Sequence, residues 1–583
     1  MVQSMTHEGT IYAGYGRVVS RRRLLKQVAA TGVGLSMAAL VGCGSDETPS
    51  STSTAPGTGA PAAPAVVTEE QKRGGYLRYV MSTGYAGTNI DPYWSDLAGA
   101  VLIGKHMYES LINVDFKNEE WRYPYSLAPW LAERWEQPDK TTYLMSIRQG
   151  VKFHNGATLS AQDVRFTYER ALSTKAQTNN LARNLASLDI VGVQTVKVVA
   201  KATDAEFLEN FSAGIGQVAI MSKTAGDAGV DFSKIFVGTG PFKTDNYRAD
   251  SAWHATRFND YWQKGRPYLD GIKFLAADDA TLSASFIAGD NDILVRNDRV
   301  QAEPILKAVP DSVVSKWPTD FIYGIAFNAS RTPFSDLRVR RAIHLALNRD
   351  AVDAAANFGD GQISGPLGIE RSGYSLTKTE LLALPGYRKP KDADLAEAVK
   401  LLEAAGYKGG FKGEIMFPTN QAVAPVYAEA IQGQLRKAPL GVDLKIVPQD
   451  SPTFTKRRSA GDFDTHTISQ AGGVYKPGNQ ASVWHSTSPN SKAAGINDKE
   501  LDALIDAAKV EFDIKARGEI FKKIELRLID QAYYAAVSAP ALTRMSRPWV
   551  RDWRDNRAQR GAIMNPDFLW MDMTKAPASR KSV

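Results

Sequence analysis

The sequence predicts an α/β protein built from several compact units, and three observations carry that reading. Thr142–Ile147 alternates, with Tyr143, Met145 and Ile147 on one face and Thr142, Leu144 and Ser146 on the other, as a strand does. Val339, Ala342, Ile343, Ala346 and Leu347 recur at helical spacing behind a capping Ser335 or Asp336. The chain has 583 residues, too many for one core and suited to about three or four units. With 43% hydrophobic and 23% charged residues, the composition is that of an ordinary globular protein.

Taken in order, the first 42 residues stand apart. They carry five basic groups (Arg17, Arg21, Arg22, Arg23, Lys26) against Glu8, and so supply more than half of the formal net charge of +7. The remainder is close to balanced, which argues against a nucleic-acid partner. Ser20–Lys26 (SRRRLLK) matches the twin-arginine export motif through Arg21 and Arg22, with Leu24 where phenylalanine is commoner. The uncharged run Gln27–Gly42 has 16 residues, short of the roughly 20 that span a bilayer, so a signal sequence is expected at 1–42.

Leu40-Val41-Gly42-Cys43 then reads as a lipoprotein processing box, with Cys43 the lipidated residue. The alternative, a small buried cysteine, fits less well, because Cys43 is the only cysteine and sits where the box needs it. A single cysteine also rules out an internal disulfide. Gly44–Gly74 is dominated by Ser, Thr, Pro, Ala and Gly, too poor in apolar residues to offset its ordering entropy. Residues 43–74 are therefore expected to form a disordered tether, with a reach of roughly 30 Å.

The folded part follows. Gly75–Ser82 (GYLRYVMS) predicts a first strand, and His106–Val114 (HMYESLINV) a short helix on which His106 and Glu109 stand three apart. That pair is read as structural rather than metal-binding, since no third ligand lies nearby. Arg148-Gln149-Gly150 turns into a short strand over Val151–His154, and Asn155-Gly156 turns again. Ser160, with Asp163 three residues on, opens a helix whose buried stripe is Val164, Thr167, Tyr168, Ala171 and Leu172. Thr195–Ala200 alternates as a strand. The glycines of Val237–Phe242 (VGTGPF) lack phosphate-loop spacing and suit a tight strand-to-strand passage.

Phe321–Asn328 leads into the helix of Pro333–Asp350, where Arg338, Arg340 and Arg341 are expected to face mostly solvent. Asp394–Tyr407 is a second amphipathic helix, with Leu395, Ala398, Val399 and Leu402 inward and Gly406 at its end. Asn497–Gln531 is a long charged helical region, broken near Asp513–Arg517. No repeat of 20–50 residues is visible.

The order of these blocks carries more than any one of them. LAERWE…TTYLMSIRQGVKFHNGATLSAQDVRFTYERAL, VGTGPF with FNDYW, and FIYGIAFN with PFSDLRVRRAIHLALNRD together resemble the family 5 extracellular solute-binding proteins of ABC importers. That family includes dipeptide-, oligopeptide- and nickel-binding receptors. Asn155 and Gln162 depart from it, standing where members usually carry acids. The resemblance implies a two-lobed periplasmic-binding-protein-like fold (large, type II-like, cluster C) with an extra inserted subdomain. The implied boundaries are lobe I at 75–112, 233–320 and 530–583, the insert at 113–232, and lobe II at 321–529. It further implies an extracytoplasmic monomer, lipid-anchored through Cys43. Such a receptor takes a small-molecule solute to an ABC permease and its ATPase subunits, without chemistry of its own, cofactor or nucleic acid.

The ligand-binding residues the resemblance implies are Tyr85, Gln470 and Tyr475, with Trp484 added as an aromatic wall. Peptide-binding members place an acid on a W-x-x-D segment to pair with the ligand's α-ammonium. Here Gln470 aligns with the tryptophan, Gly473 with the acid, and Lys476 replaces a usually acidic neighbour. A buried ammonium left without a carboxylate costs on the order of 3–5 kcal/mol, a factor of hundreds or more in affinity. Unless another acid substitutes from elsewhere, the expected ligand presents no free α-ammonium at this point. Two other classes remain open. A metal–chelate receptor would use His466 and His485. An enzyme or sensor on the same fold lacks support from any GxSxG, HExxH or phosphate-loop motif.

Overall fold

A computed structural model describes residues 68–82, 89–93, 104–114, 127–173, 184–212, 219–244, 246–248, 252–296, 299–319, 321–368, 374–421, 423–437, 439–467, 470–471, 477–553, 566–577 and 580. All fall within one compact unit, Val67–Val583. The export motif, Cys43 and the tether lie outside the described residues.

The first lobe is organised by a four-stranded sheet ordered Tyr76–Ser82, Gly271–Ala277, Trp253–Arg257, Phe242–Lys243, parallel in its first pair and antiparallel after it. Phe274 stacks on Trp253 with ring centroids 4.2 Å apart, filling the face between strands with aromatic area. Residues 127–200 add a second four-stranded sheet, ordered Ala132–Asp139, Thr142–Ile147, Thr195–Ala200, Leu185–Gly192. Thr142–Ile147 is central in it: Tyr143, Met145 and Ile147 are buried and the alternate residues half-buried, as its pattern requires.

The helix Ala161–Ala171 begins as expected. The Ser160 N–H and hydroxyl both donate to the Asp163 carboxylate (2.9 and 2.7 Å), which also receives the Lys223 N–H (2.8 Å). Val164, Thr167, Tyr168 and Ala171 are buried, but Leu172 is 43% exposed, because it follows the last helical turn and leaves the stripe. Val151–His154 is a single bridge, Lys152 with Thr158, rather than a strand. The sheet of 127–200 and the sheet of the first lobe share one continuous hydrophobic core, running from Leu77 and Phe274 through Met107 and Phe236 to Tyr143 and Val196.

Two close approaches weld that core. Gly240 N–H donates to Met107 O (2.9 Å) and His154 N–H to Gly238 O (2.9 Å). A Cβ on Gly238 would lie 2.0 Å from Met107 O, so the glycine allows the two backbones to approach closely. The expected helix over His106 ends at Met107, and a strand begins at Ile112. Glu109 therefore sits in the turn between them rather than beside His106 on a helix face.

The second lobe is a larger sheet ordered Gln362–Ile363, Tyr534–Ala539, Phe321–Phe327, Thr465–His466, Lys412–Pro418, Asp443–Gln449, with Gln470–Ala471 also paired to Phe321–Phe327. The helix Leu337–Ala346 buries Val339, Ala342 and Ile343 against it. Arg340 corrects the solvent-facing reading of the arginine trio. It is buried, donating to Gln531 O (3.2 Å) and Phe334 O (2.8 Å) with its guanidinium over the Tyr533 ring. Long stems can carry a charge inward to carbonyls that need donors. Residues 499–531 form two helices, Lys499–Val510 and Ile514–Gln531. The side chain of Asp498 caps the first (accepting from Leu501 N–H, 3.1 Å) and that of Asp513 the second (from Ala516 N–H, 2.8 Å).

Candidate functional site

Two strands join the lobes. Val313–Pro318 pairs with Ala541–Ser546 in a three-stranded sheet with Ile293–Arg296. Their continuations, Phe321–Phe327 and Tyr534–Ala539, pair with each other in the second lobe's sheet. At the change, the Thr319 N–H donates to Pro540 O (2.7 Å), and Pro318 stands opposite Ala541. A proline interrupts a ladder because it offers no donor. The two chain crossings are thus side by side, short, and tied by one backbone hydrogen bond, an arrangement that can flex while staying aligned.

Away from the crossings, the lobes touch directly. Ala205 N–H donates to Lys509 O (2.8 Å). The Gly478 N–H donates to the Glu206 carboxylate (3.1 Å), and a Cβ on Gly478 would come within 2.8 Å of that carboxylate. The Lys140 ammonium lies 5.9 Å from the Phe512 ring centroid. The loop is set by Asp204, whose carboxylate accepts the Glu206 N–H (2.9 Å). Sequence reasoning missed Glu206 and Gly478, because no local pattern tells which distant loop meets a given carboxylate. The crossings did leave a signal, in Pro318 and Pro540 each closing a strand-like run.

Among the residues expected to face ligand, Gln470 forms a short strand with Ala471 and pairs with Ile322, just past the crossing into the second lobe. Tyr85, Gly473, Tyr475 and Lys476 lie outside the described residues. Trp484 is 6% exposed, its ring 6.0 Å from that of Tyr534, in a core shared with Ala481, Leu501 and Ile524. The same core includes Ile322, the residue that Gln470 pairs with. His466 is buried between Phe454 and Phe463, and burial, with the nearby Arg458 charge, pushes its imidazole down to about 3. His485 instead faces Asp502 and Asp506 (3.8 and 3.6 Å) and Thr487 (2.8 Å). Among the described residues, no three of His, Cys, Asp and Glu stand together as a metal site.

Glu109 is a carboxylate with several hydrogen-bond donors, 5% exposed at the junction of the first lobe's two sheets. It receives Trp130 Nε1–H (2.7 Å), Tyr261 O–H (2.8 Å), Thr239 O–H (2.9 Å) and Trp262 Nε1–H (3.0 Å). Burial nevertheless raises it to about 7, the four donors offsetting only part of the loss of water. Nothing it touches is a nucleophile or a metal ligand, and its geometry is that of a structural node.

A family model for "Bacterial extracellular solute-binding proteins, family 5 Middle" matches residues 126–492, more than half of the chain. "Di/tripeptide-binding protein 1" of Pseudomonas aeruginosa (strain UCBPP-PA14) is 27% identical over 465 residues, covering 73% of this chain and 83% of its own length. The unliganded open form of MppA, a periplasmic murein tripeptide binding protein, aligns with a TM-score of 0.72 at 20% identity, over 85% of this chain and 97% of that one. NikA from Brucella suis, in complex with Fe(III)-EDTA, aligns with a TM-score of 0.69 at 22% identity, over 84% and 99%. At these identities the two structures speak to the fold, which in both is two-lobed.

Proposed function

The chain belongs to the bacterial extracellular solute-binding proteins of family 5, and on that premise we propose that it is the receptor of an ABC importer. Outside the cytoplasmic membrane it closes two lobes on a small solute and hands that solute, unaltered, to a permease and its ATPase subunits. The observation that carries this reading is the pairing of two crossings at Thr319 and Pro540 with a separate lobe-to-lobe contact at Glu206 and Gly478. A ligand held from both sides favours the closed arrangement because only that form contacts it twice. We place the boundary of the second lobe at these crossings, so that it runs from 321 to 539 and Tyr534–Ala539 belongs to it.

The receptor is a monomer tethered by residues 43–74 to a lipidated Cys43, after export through the Arg21-Arg22 motif; the sequence of the leader supports this. The ligand contacts run through Tyr85, Gln470 and Tyr475. With Gly473 at the place of the ammonium-pairing acid, the favoured ligand is a blocked peptide, a sugar, an opine-like compound or another neutral or anionic metabolite. A thermal-shift screen of the purified chain against a metabolite library names the candidates. Isothermal titration with free and N-blocked peptides then decides the ligand class. Tight binding that requires a free N-terminus contradicts the ammonium argument while leaving the receptor reading intact. Turnover of any bound solute contradicts the receptor reading itself.

A further inference from the structure

The second lobe contains a cavity of about 30 Å³ lined by Arg458, Phe463, His466, Trp484, Ser491 and Tyr533, among others. It is not the interlobe cleft. Ala326 and Phe327 line it and pair with His466 and Thr465, whereas Gln470 pairs with Ile322, nearer the crossing. Four residues of strand separate Ile322 from Ala326, about 13 Å.

Two lining residues carry an unmet need. Nδ1 of His466 and Nε of Arg458 are buried and have no hydrogen-bond partner among the described residues. No carboxylate lines the cavity. The neighbouring acids Glu414 and Asp462 go to Arg457 instead (3.5 and 3.1 Å). Burial alone depresses the Arg458 guanidinium, with no opposing charge beside it to restore the ordinary value. Buried donors in folded proteins find acceptors, and the half-buried Arg458 guanidinium, with its Nε buried, favours an anion. The remaining wall is largely aromatic and aliphatic, and ring edges carry positive potential. A cavity of about 30 Å³ holds a water or a monatomic anion and is too small for a metabolite.

We propose that this cavity binds a halide ion, held by the Arg458 guanidinium and by Nδ1–H of His466. The ion would join the helix Ser451–Ser459, the strand Thr465–His466 and the helix Pro489–Ala493.

Thermal unfolding of the full chain is measured in sodium chloride, sodium bromide and sodium gluconate at constant ionic strength, and crystals of the chain are soaked in bromide. The expected results are a saturable rise in Tm with chloride and bromide over gluconate, lost in Arg458→Met, and an anomalous bromide peak between Arg458 and His466. Equal Tm in the three salts, or an ordered water and no bromide in the cavity, overturns the proposal. Should Arg458→Met fail to fold, the crystallographic result on the unaltered chain still decides.

Discussion

Glu109 shows how one residue's surroundings become a property of the protein. Its carboxyl titrates at about 7 in the fold against an ordinary 4.5, so folding takes up a proton between those values. The contribution of this carboxyl is therefore full below about pH 4.5, falls as pH rises towards 7, and is lost above it. At ~1.4 kcal/mol for each tenfold change in proton affinity, the loss is on the order of 3 kcal/mol. His154 and His466, depressed by burial to about 4 and about 3, act in the opposite sense, so the Glu109 contribution is read as a difference: denaturant titrations from pH 4 to 8 should show the stability gap between the unaltered chain and Glu109→Gln shrinking as pH rises towards 7. Gly238→Ala is expected to cost about 3 kcal/mol or more, since its Cβ would meet Met107 O at 2.0 Å; chemical denaturation measures it. The sequence made Ser160 and Asp163 legible because their partners lie three residues apart. It could not show that Arg340 turns inward or that Glu109 gathers Trp130, Tyr261 and Trp262, because those partners are brought together only by the tertiary fold.

At the scale of elements, periodicity did well where a stripe and a cap coincide, as in Leu337–Ala346, and it anticipated two helices over 499–531, with the break expected near Asp513–Arg517 and found at 511–513, just ahead of the Asp513 cap. It did less well over Val151–His154 and His106–Val114. There short apolar runs fit strand, helix or turn equally, and the neighbouring Gly238 and Gly240 decide the outcome. The contact of Glu206 with Gly478 is an element-scale device, joining the loop after Thr195–Ala200 to the helix Pro477–Ser482. Opening the lobes must break it. Glu206→Ala should therefore shift the unliganded chain towards the open form and weaken solute binding without touching the solute. If the binding-competent fraction falls to a tenth, the apparent Kd rises tenfold. Titration calorimetry of the variant reads this, and an unchanged Kd removes Glu206 from the account.

For the whole molecule, the family was legible in the order of the sequence blocks, and the lobes with it, because those blocks are strands and helices of the two lobes' sheets. The ligand-facing surface was less legible. Gln470 pairs with Ile322 beside the crossing into the second lobe, and the buried Trp484 packs in the core that includes Ile322; an apolar ring is buried as readily for stability as for binding, so its type alone does not tell the two apart. Anchoring is also a whole-molecule property. Two acyl chains hold a protein stably to a bilayer, so Cys43→Ser should move the chain from the membrane to the soluble fraction, and a variant that stays with the membrane contradicts lipidation there. The most direct test of closure on a solute is small-angle X-ray scattering of the purified chain with and without the compound that raises its Tm most. A smaller radius of gyration with that compound, and a larger one for unliganded Glu206→Ala, is the predicted result. A profile that stays the same with and without a compound shown to bind contradicts it.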